Sequence, residues 1–349
     1  MLIGILRNQD PESSRNWEIA CEKKNIAFRT IDLTSNNWKD DINKYKFDFF
    51  IHRPPGDIEI FKKLFDERLY IITEIYGYKI FPGLKETFIY ENKRWLSYFL
   101  EAANIPCPKT NVFYNYSEAL EYINTSKYPF FAKSNIGAAG SGVKKIDSKK
   151  TAKKYLHKSF KGKGIRRRFG PNRMVGNPKK WISKALNSPK YFLKKLYSYS
   201  QIYKDSQRNF VIFQEYVEHD FEWRVVKIGH SFFAYKKFKV DDKASGAKAL
   251  GYDNPPLKLL DFVKGIALKN NIISAAFDIF PVEEYYLVNE IQTIFGHINS
   301  HILEVNGIPG RYIYKKSKWI FEKGAFNTNE SYDLRLETAL GIFKENAGE

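Results

Sequence analysis

The chain has 349 residues, of which 43% are apolar and 16% aromatic. It is therefore long enough for two or three lobes and too apolar to be a disordered protein. Its two cysteines, Cys21 and Cys107, match no metal-site spacing and indicate free thiols in a reducing compartment, with a disulfide as the alternative. The start of the chain predicts a β-strand rather than a signal peptide, and no apolar run approaches the roughly 18 residues that span a bilayer. We expect a cytoplasmic protein.

The net charge of +18 is concentrated in one segment. Residues 144–208 hold 21 Lys and Arg against two acidic residues, whereas the rest of the chain holds 36 basic and 37 acidic ones. A general bias toward lysine would not confine the excess in this way. The segment is therefore expected to face an anionic partner, with a solvated insertion as the alternative.

Residues 1–86 alternate apolar runs with amphipathic stretches, which predicts a small, mostly parallel sheet with covering helices. A strand at 47–51 ends in the loop Ile51-His-Arg-Pro-Pro-Gly56. Because open α/β sheets tend to bind ligands at such strand ends, His52 and Arg53 are candidates for substrate contact. A purely structural loop is the alternative.

Residues 86–104 predict one amphipathic helix that carries Lys93 and stops at the prolines of Ile105-Pro-Cys-Pro108. A strand at 109–113, a helix at 117–123 capped by Ser117, and a strand at 129–133 carrying Lys133 follow. A glycine-rich turn then leads into a strand at 143–146 and a lysine-rich helix from residue 148.

Residues 159–208 form a basic insertion in which aromatic and aliphatic residues alternate with lysines after the run Arg166-Arg-Arg168. This pattern suits an amphipathic lid, an interfacial helix at an anionic membrane or a polyanion groove, and periodicity does not separate them. From residue 209 the pattern predicts a mainly antiparallel sheet with a covering helix at 258–270. The predicted strands are 210–217, 221–228, 231–240, 272–280 and 285–291.

Two groups of residues suggest chemistry. Gly137, Gly140 and Gly142 follow the strand of Lys133, and glycines let backbone N–H groups approach phosphate oxygens. A hairpin turn is the alternative. Glu290 and Gln292 share one face of their strand, and Asp278 on the preceding strand can meet them in an oxygen-lined site suited to Mg²⁺. Solvent-facing carboxylates at strand ends are the alternative there.

In this order, the motifs resemble the ATP-grasp superfamily, which includes glutathione synthetase, D-Ala–D-Ala ligase and ribosomal-protein glutamate ligases. The resemblance covers about residues 88–312. It rests on Asn92-Lys93 before Ile105–Thr110, on Lys133 with its glycine loop, on Gln214-Glu-Tyr-Val217 followed by Glu222-Trp-Arg224, and on Asp278 with Asn289-Glu-Ile-Gln292. The segment Asp241–Gly246 and the tail segments 308–312 and 319–324 also resemble a subgroup associated with bacterial surface-polysaccharide genes.

The resemblance implies an α/β (α+β) ATP-grasp fold, with an N-terminal open α/β domain and two α+β lobes that clasp ATP. The implied divisions are 1–86 for the pre-ATP-grasp domain, 87–158 for the lobe with the glycine loop, 159–208 for the basic insertion, 209–325 for the lobe with the metal site, and 326–349 for a helical tail.

The resemblance also implies residue roles. Lys93 and Lys133 contact the phosphates, the glycine loop closes over them, the 214–217 segment edges the adenine, and Glu222 accepts from the ribose. The implied nucleotide-binding residues are Lys93, Lys133, Gly137, Ala139, Gly140, Ser141, Gly142, Gln214, Glu215, Tyr216, Val217, Glu222, Lys243 and Ser245. Asp278, Glu290 and Gln292 would hold Mg²⁺ or Mn²⁺. Gln292 stands where the family has Asn. Lys243 stands where the subgroup has Arg, and lysine keeps the positive charge but cannot make the bidentate contact that arginine makes.

The implied reaction activates a substrate carboxylate as an acyl phosphate, which an amine or another nucleophile then attacks. Arg224, Lys237 and Arg311 are candidates for stabilising the transferred group, and His297 and His301 for an acceptor-site base. A phosphotransferase with the same fold is one alternative. A nucleic-acid-binding protein that uses residues 144–208 is another, but the segment lacks a zinc, helix-turn-helix or RNP signature.

The implied partners are small carboxylate and amine substrates. An anionic acceptor, either a glycan or a phosphate-bearing carrier, would bind at residues 144–208. Peripheral association with the inner face of a membrane is an alternative to a purely cytoplasmic location, and a homodimer is an alternative to a monomer.

Overall fold

The computed structural model describes residues 1–137, 140–167, 188–240, 243–244, 250–296 and 299–345. Its first part is a four-stranded parallel sheet in the order β2-β1-β3-β4, which confirms the small parallel sheet predicted from the sequence. The elements are β1 (Leu2–Arg7), α1 (Arg15–Lys23), β2 (Ala27–Asp32), α2 (Trp38–Asn43), β3 (Phe49–His52), α3 (Glu59–Tyr70) and β4 (Ile80–Phe81). Both faces of the sheet are buried, as the continuous apolar strands require. Cys21 lies buried in this core, and both cysteines are free thiols.

The second part is a smaller antiparallel sheet in the order β5-β8-β6-β7. Its elements are α4 (Leu84–Ile89), α5 (Lys93–Ala102), β5 (Thr110–Phe113), α6 (Tyr116–Thr125), β6 (Phe130–Lys133), β7 (Val143–Ile146), α7 (Lys149–Phe160), α8 (Pro189–Lys204) and β8 (Val211–Glu215). Strand β8 lies beyond residue 209, where the sequence predicts the start of the other lobe, yet it pairs with β5 and β6.

The helix predicted over residues 86–104 is wrong, because the structure divides it. The backbone of Glu91 is left-handed at φ 47°, and Asn92 caps the next helix by accepting a hydrogen bond from the N–H of Trp95 at 3.3 Å. Lys93 therefore opens α5. The cap predicted at Ser117 is also wrong, since Asn115 accepts from the N–H of Ser117 at 2.9 Å and α6 begins at Tyr116.

The third part is a nine-stranded antiparallel sheet whose main order is β14-β13-β9-β10-β16-β15, as the alternating pattern after residue 209 predicts. Its elements are β9 (Phe221–Ile228), β10 (Ser231–Val240), β11 (Lys243–Ala244), β12 (Leu250–Gly251), α9 (Leu257–Lys269), β13 (Ser274–Val282), β14 (Tyr285–Gln292), β15 (Glu304–Val305), β16 (Ile308–Lys315) and β17 (Lys318–Lys323). Helices α5 and α9 cover one face with an apolar core.

The chain ends in α10 (Tyr332–Glu345), which returns to the first sheet. Tyr332 packs edge-on against Trp17 with ring centroids 4.7 Å apart. Glu86 of α4 accepts hydrogen bonds from the N–H groups of Ile273 and Ser274, both at 2.8 Å, and so ties α4 to the start of β13. None of the helices in the described ranges has both the length and the apolar character that crossing a bilayer demands.

Gly4 provides a test of the parallel sheet. A Cβ at this position would lie 2.1 Å from two ring carbons of the buried Phe50 on the neighbouring strand. We expect Gly4→Ala to lower the free energy of unfolding by about 1–3 kcal/mol through overpacking. Urea denaturation measures this loss.

Gly265→Ala is the matched control, because Gly265 lies inside α9 and a Cβ there would have no neighbour within 4 Å. We expect it to raise the free energy of unfolding by about 0.5–1 kcal/mol, since alanine favours helix over glycine. Equal effects of the two changes would contradict the packing described around Gly4.

Candidate functional site

A cluster of charged side chains lies on one face of the large sheet. Strand register places Asp278 of β13 opposite both Arg224 of β9 and Glu290 of β14, and Lys237 of β10 opposite Glu222 of β9. These residues are alternate positions on adjacent strands, so their side chains project to the same side. The structure therefore brings together most of the carboxylates and cations predicted from the sequence.

Asp278 is the centre of this cluster and is 3% exposed. Its two oxygens accept from Nε and Nη2 of Arg224 at 2.7 and 2.8 Å, and Oδ2 lies 2.7 Å from Nζ of Lys237. Burial alone would raise the pKa of Asp278, but the charges and hydrogen bonds of Arg224 and Lys237 outweigh it and hold that pKa well below its usual range. Asp278 is thus ionised across the physiological range.

A chain of polar contacts runs from this cluster to the smaller sheet. Lys237 Nζ lies 2.6 Å from Oε2 of Glu222, whose Oε1 accepts from the side-chain amide of Asn289 at 3.3 Å. The other end of that amide, Oδ1, accepts from Nζ of Lys133 at 3.0 Å. Burial and the like charge of Lys93 lower the pKa of Lys133 to about 8, against the attraction of the nearby carboxylates.

Lys93 opens α5 beside the glycine loop. Its Nζ donates to the carbonyl oxygen of Gly137 at 3.0 Å and lies 3.4 Å from Oε1 of Glu290 and 3.7 Å from Oε2 of Glu91. The carboxylate of Glu91, 4% exposed, also accepts from the N–H of Gly137 at 3.2 Å. Glu91 therefore holds both the lysine and the first glycine of the loop in place.

The glycine loop joins β6 to β7 and turns tightly. Gly137 and Gly140 have φ of 136° and 66°, in the region that favours glycine. A Cβ on Gly142 would lie 1.6 Å from Oγ of Ser134, so only glycine fits there. Ser141 lies in the same loop, and its Oγ would be 3.0 Å from a Cβ on Gly137. Ala139 falls outside the described residues.

The residues expected to edge an adenine lie at the end of β8. The Nε2 of Gln214, a buried residue, donates to Oγ1 of Thr110 at 3.0 Å, and Oε1 of Glu215 accepts from the N–H of Lys109 at 2.7 Å. Tyr216 accepts from Nζ of Lys239 at 3.2 Å, and the carbonyl oxygen of Val217 bonds to Nδ1 of His219 at 2.8 Å. A cleft bordered by Gln214, Lys93, Lys133 and Glu290 adjoins them.

The oxygen atoms of the cluster are of the kinds that Mg²⁺ accepts, although both oxygens of Asp278 already bond to Arg224 or Lys237. Carboxylates of Asp278 and Glu290 and the amide oxygen of Gln292 project from neighbouring strands, and Nη2 of Arg224 contacts both Asp278 and Gln292, the latter at 3.3 Å. Mg²⁺ prefers one or two carboxylates with substrate phosphates completing its shell. Within the described ranges no group of three or more His, Cys, Asp or Glu could hold a metal on its own.

Several predicted residues lie elsewhere. Arg311 bonds to Oε2 of Glu322 and to Oγ of Ser231, at 2.8 and 2.9 Å, so it does not join the Asp278 cluster. His52 is fully buried, bonds to the carbonyl oxygen of Pro82 at 2.9 Å, and has its pKa lowered to about 4 by burial, so it supports the loop rather than a ligand. His301 pairs with Glu304 at 2.5 Å.

The arginine run of the basic insertion divides into different environments. Arg167 is 4% exposed, donates to the carbonyl oxygen of Asp57 and pairs with Asp205 at 2.8 Å, so its expected contact with an outside anion is wrong. Arg166 stacks on the ring of Tyr203 at 4.9 Å. Arg168, Ser245, His297 and the side chain of Lys243 fall outside what the structure describes.

Sequence reasoning missed Glu91 and Asn289. Asn289 belongs to a motif noted in the sequence, but sequence reasoning assigned it no role of its own. Its position between Lys133 and Glu222 depends on the approach of two separate sheets, which no local sequence pattern predicts. For Glu91, the available signal was its place directly before Asn92. Asparagine is a typical helix-capping residue, so Asn92 indicates a helix start at Lys93.

Comparison with known proteins identifies the fold. No protein-family model and no curated protein matches the chain. Among solved structures, D-alanine–D-alanine ligase from Bacillus anthracis is similar over 99% of both chains, with 14% identity and a TM-score of 0.54. A RimK-domain ATP-grasp protein from Sphaerobacter thermophilus is similar over 83% of this chain and 90% of its own, with 13% identity and a TM-score of 0.50. N5-carboxyaminoimidazole synthetase from Staphylococcus aureus, complexed with ADP, is similar over 86% and 71%, with 13% identity and a TM-score of 0.50.

Replacing Asp278 tests the charge cluster. We expect Asp278→Asn to lower the free energy of unfolding by about 3–5 kcal/mol, because it leaves Arg224 and Lys237 buried without their shared counter-charge. Glu290→Gln is the matched control. Its side chain is 23% exposed and its partner Lys93 keeps Glu91, so a loss of about 1 kcal/mol or less is expected. Urea denaturation that ranks the two losses in the opposite order would contradict this assignment.

The pKa of Lys133 gives a pH-dependent prediction. Between about 8 and the ordinary value of 10.5, the unfolded chain binds a proton that folded Lys133 has lost, so the folded state gains stability as pH rises through this window. From pH 7.5 to 10, wild type should gain about 2 kcal/mol relative to Lys133→Met, as measured by urea denaturation of both proteins. A constant difference would mean that Lys133 titrates as an ordinary lysine.

Proposed function

We propose that this chain, which has the ATP-grasp fold, is an ATP- and Mg²⁺-dependent, ADP-forming carboxylate–amine ligase. The proposal rests on one observation above all: the ammonium groups of the half-buried Lys93 and the buried Lys133 converge beside Glu290, where the two antiparallel sheets meet. By their names, the similar proteins include a D-alanine–D-alanine ligase and a synthetase complexed with ADP, which supports the same class of reaction here.

The nucleotide would be bound by its charge. Lys93 and Lys133 would donate to phosphate oxygens, because a densely charged anion compensates buried cations better than the amide of Asn289 does. Backbone N–H groups of the 137–142 loop would close over the phosphates. The end of β8, from Gln214 to Val217, would edge the adenine, and Glu222 would accept from the ribose. Lys243 and Ser245 would add contacts to the transferred phosphate.

The chemical step would begin at a substrate carboxylate. One of its oxygens would attack the γ-phosphorus, ADP would leave, and an amine would then displace phosphate from the acyl carbon as it loses a proton. A bound Mg²⁺ would neutralise charge on the phosphates. Arg224 and Lys237 would act by keeping Asp278 ionised and oriented, since both already bond to its oxygens. Catalysis would then depend on positioning and charge rather than on a covalent enzyme intermediate.

An anionic co-substrate is favoured by the two neighbouring arginines Arg335 and Arg53. Arg335 is fully buried, donates to the carbonyl oxygen of Phe295 at 3.3 Å and stacks on the rings of Phe295 and Tyr332, while its Nε and Nη1 have no hydrogen-bond partner in the described part of the chain. Burial, and after it the like charge of Arg53, lower the pKa of Arg335 to about 10, although Glu330 acts in the opposite direction. Two arginines this close together would attract an anion.

The basic segment favours the same kind of acceptor. Lys190, Lys194 and Lys195 of α8 are exposed beside the exposed apolar side chains of Leu193 and Tyr197. Such a helix would suit an anionic glycan, a phosphate-bearing carrier or the anionic inner face of a membrane. Together with the sequence resemblance, this supports a role in modifying a sugar acid during surface-polysaccharide biosynthesis.

A phosphate-release screen tests the proposal. The protein would be incubated with ATP, Mg²⁺ and panels of acids and amines, with acids that carry a second anionic group expected to react best. Lys133→Met and Glu290→Gln should each reduce phosphate release by about a thousandfold, because phosphate-clamp contacts contribute several kcal/mol to the transition state. Lys39→Met, an exposed lysine on α2 outside every proposed site, is the control and should keep wild-type activity.

The products decide between related reactions. A ligase releases phosphate only when both the acid and the amine are present, whereas a phosphotransferase leaves phosphate on one substrate. Failure to bind ATP with Mg²⁺, or full activity of Lys133→Met, would refute the enzyme assignment altogether.

A further inference from the structure

A second cavity, of about 830 Å³, lies at the tip of the β9–β10 hairpin, at the opposite end of β9 from Glu222. Its walls come from the hairpin, α9, β16 and α10, and they include Phe232, Leu268, Ile313 and Leu334. The volume lies within the range typical of sites for small organic ligands, and the lining is mostly apolar.

The charged side chains of the cavity are mostly cationic. Among the described residues that line it, Lys227, Lys264, Arg311 and Lys315 face a single acid, Glu337, which already pairs with Lys24 at 2.8 Å. The excess of positive charge would attract an anion and repel a cation.

Lys227 differs from Arg311 and Lys264 because no described carboxylate pairs directly with it. It is 8% exposed, its Nζ donates to the carbonyl oxygen of Ile273 at 3.2 Å, and no described carboxylate oxygen lies within 4.0 Å of it. Burial lowers the pKa of Lys227 to about 8, with only a partial correction from Glu86. The carboxylate of Glu86 is occupied by the N–H groups of Ile273 and Ser274.

Two neighbouring cations are already compensated. Arg311, which the sequence suggested for catalysis, is held by Glu322 and Ser231 at 2.8 and 2.9 Å. Lys264 bonds to Asp261 at 2.8 Å and lies over the ring of Tyr314. Of these three cations, an incoming anion would therefore gain most at Lys227, whose buried ammonium group now bonds to the carbonyl oxygen of Ile273 and lies 5.9 Å from the ring centroid of Phe232.

We propose that this cavity is a second ligand site, which binds a small amphipathic anion: an aliphatic chain ending in a carboxylate that pairs with Lys227. A short hydrophilic anion would leave the apolar wall uncovered, and a neutral apolar ligand would leave Lys227 without a counter-charge. The site does not depend on the proposed ligase activity, since none of its lining residues belongs to the Asp278 cluster.

Isothermal titration of the full chain at pH 7 tests this site, with decanoate as the probe and decyltrimethylammonium and acetate as comparisons. We expect decanoate to bind at one site, at least tenfold more tightly than either comparison. Lys227→Met should weaken decanoate binding about tenfold or more, in line with the loss of a charge-assisted hydrogen bond. Lys39→Met, at an exposed position on α2 that does not line the cavity, should leave the affinity unchanged. The affinity should also fall as pH rises through about 8, where Lys227 loses its proton.

A second pair of variants keeps the test decisive if Lys227→Met fails to fold. Leu268 is 67% exposed on α9 and lines the cavity, so substitutions there should be tolerated. Leu268→Asp should weaken decanoate binding about tenfold relative to Leu268→Asn, because it adds a like charge to the wall. Equal binding of decanoate and decyltrimethylammonium, or no effect of either Lys227→Met or the Leu268 charge, would overturn the proposal.

Discussion

The buried carboxylate of Asp278 is the interaction on which the rest of the site depends. It can stay charged in the interior only because Arg224 and Lys237 donate to both of its oxygens. Lys237 in turn requires Glu222, and through Asn289 the same network reaches Lys133 on the other sheet. Asp278, Lys237, Glu222 and Lys133 are buried and would be costly to leave unpaired, so the relative position of the two sheets is coupled to the protonation of the whole network.

The N-terminal domain contributes Asp57 to this arrangement, and two later segments contribute Glu91 and Asp205. Glu91 precedes α5 and contacts both Lys93 and Gly137, while Asp57 and Asp205 hold Arg167 beside the glycine loop. The C-terminal helix α10 fastens the same domain from the other side through Trp17 and the pair of Lys23 with Asp333 at 2.8 Å. Residues far apart in the chain thus fix the position of the loop expected to meet phosphate.

The sequence predicted the periodic elements well and the tertiary contacts poorly. Strands 221–228 and 231–240 match β9 and β10 at both ends, because alternation along a half-buried strand is a local signal. The break between α4 and α5 was missed because the apolar pattern continues through it, although the Asn92 cap was visible. Arg311 is a candidate through the resemblance and Arg167 through the basic segment, and neither signal reveals that Glu322 pairs with Arg311 or that Asp205 pairs with Arg167. The ranges proposed for the separate lobes stay a prediction.

The low pKa of Lys133 connects the energetics of the site with its proposed use. Burial and the nearby charge of Lys93 make a protonated Lys133 costly, and Lys133 can relieve that cost by releasing its proton near pH 8. A nucleotide would reverse the balance, because its phosphates bring negative charge to a place where the amide of Asn289 accepts from Lys133. At and above about pH 8, proton uptake at Lys133 would then accompany binding. A lysine with an ordinary surface pKa would carry its charge already and would give no such coupling.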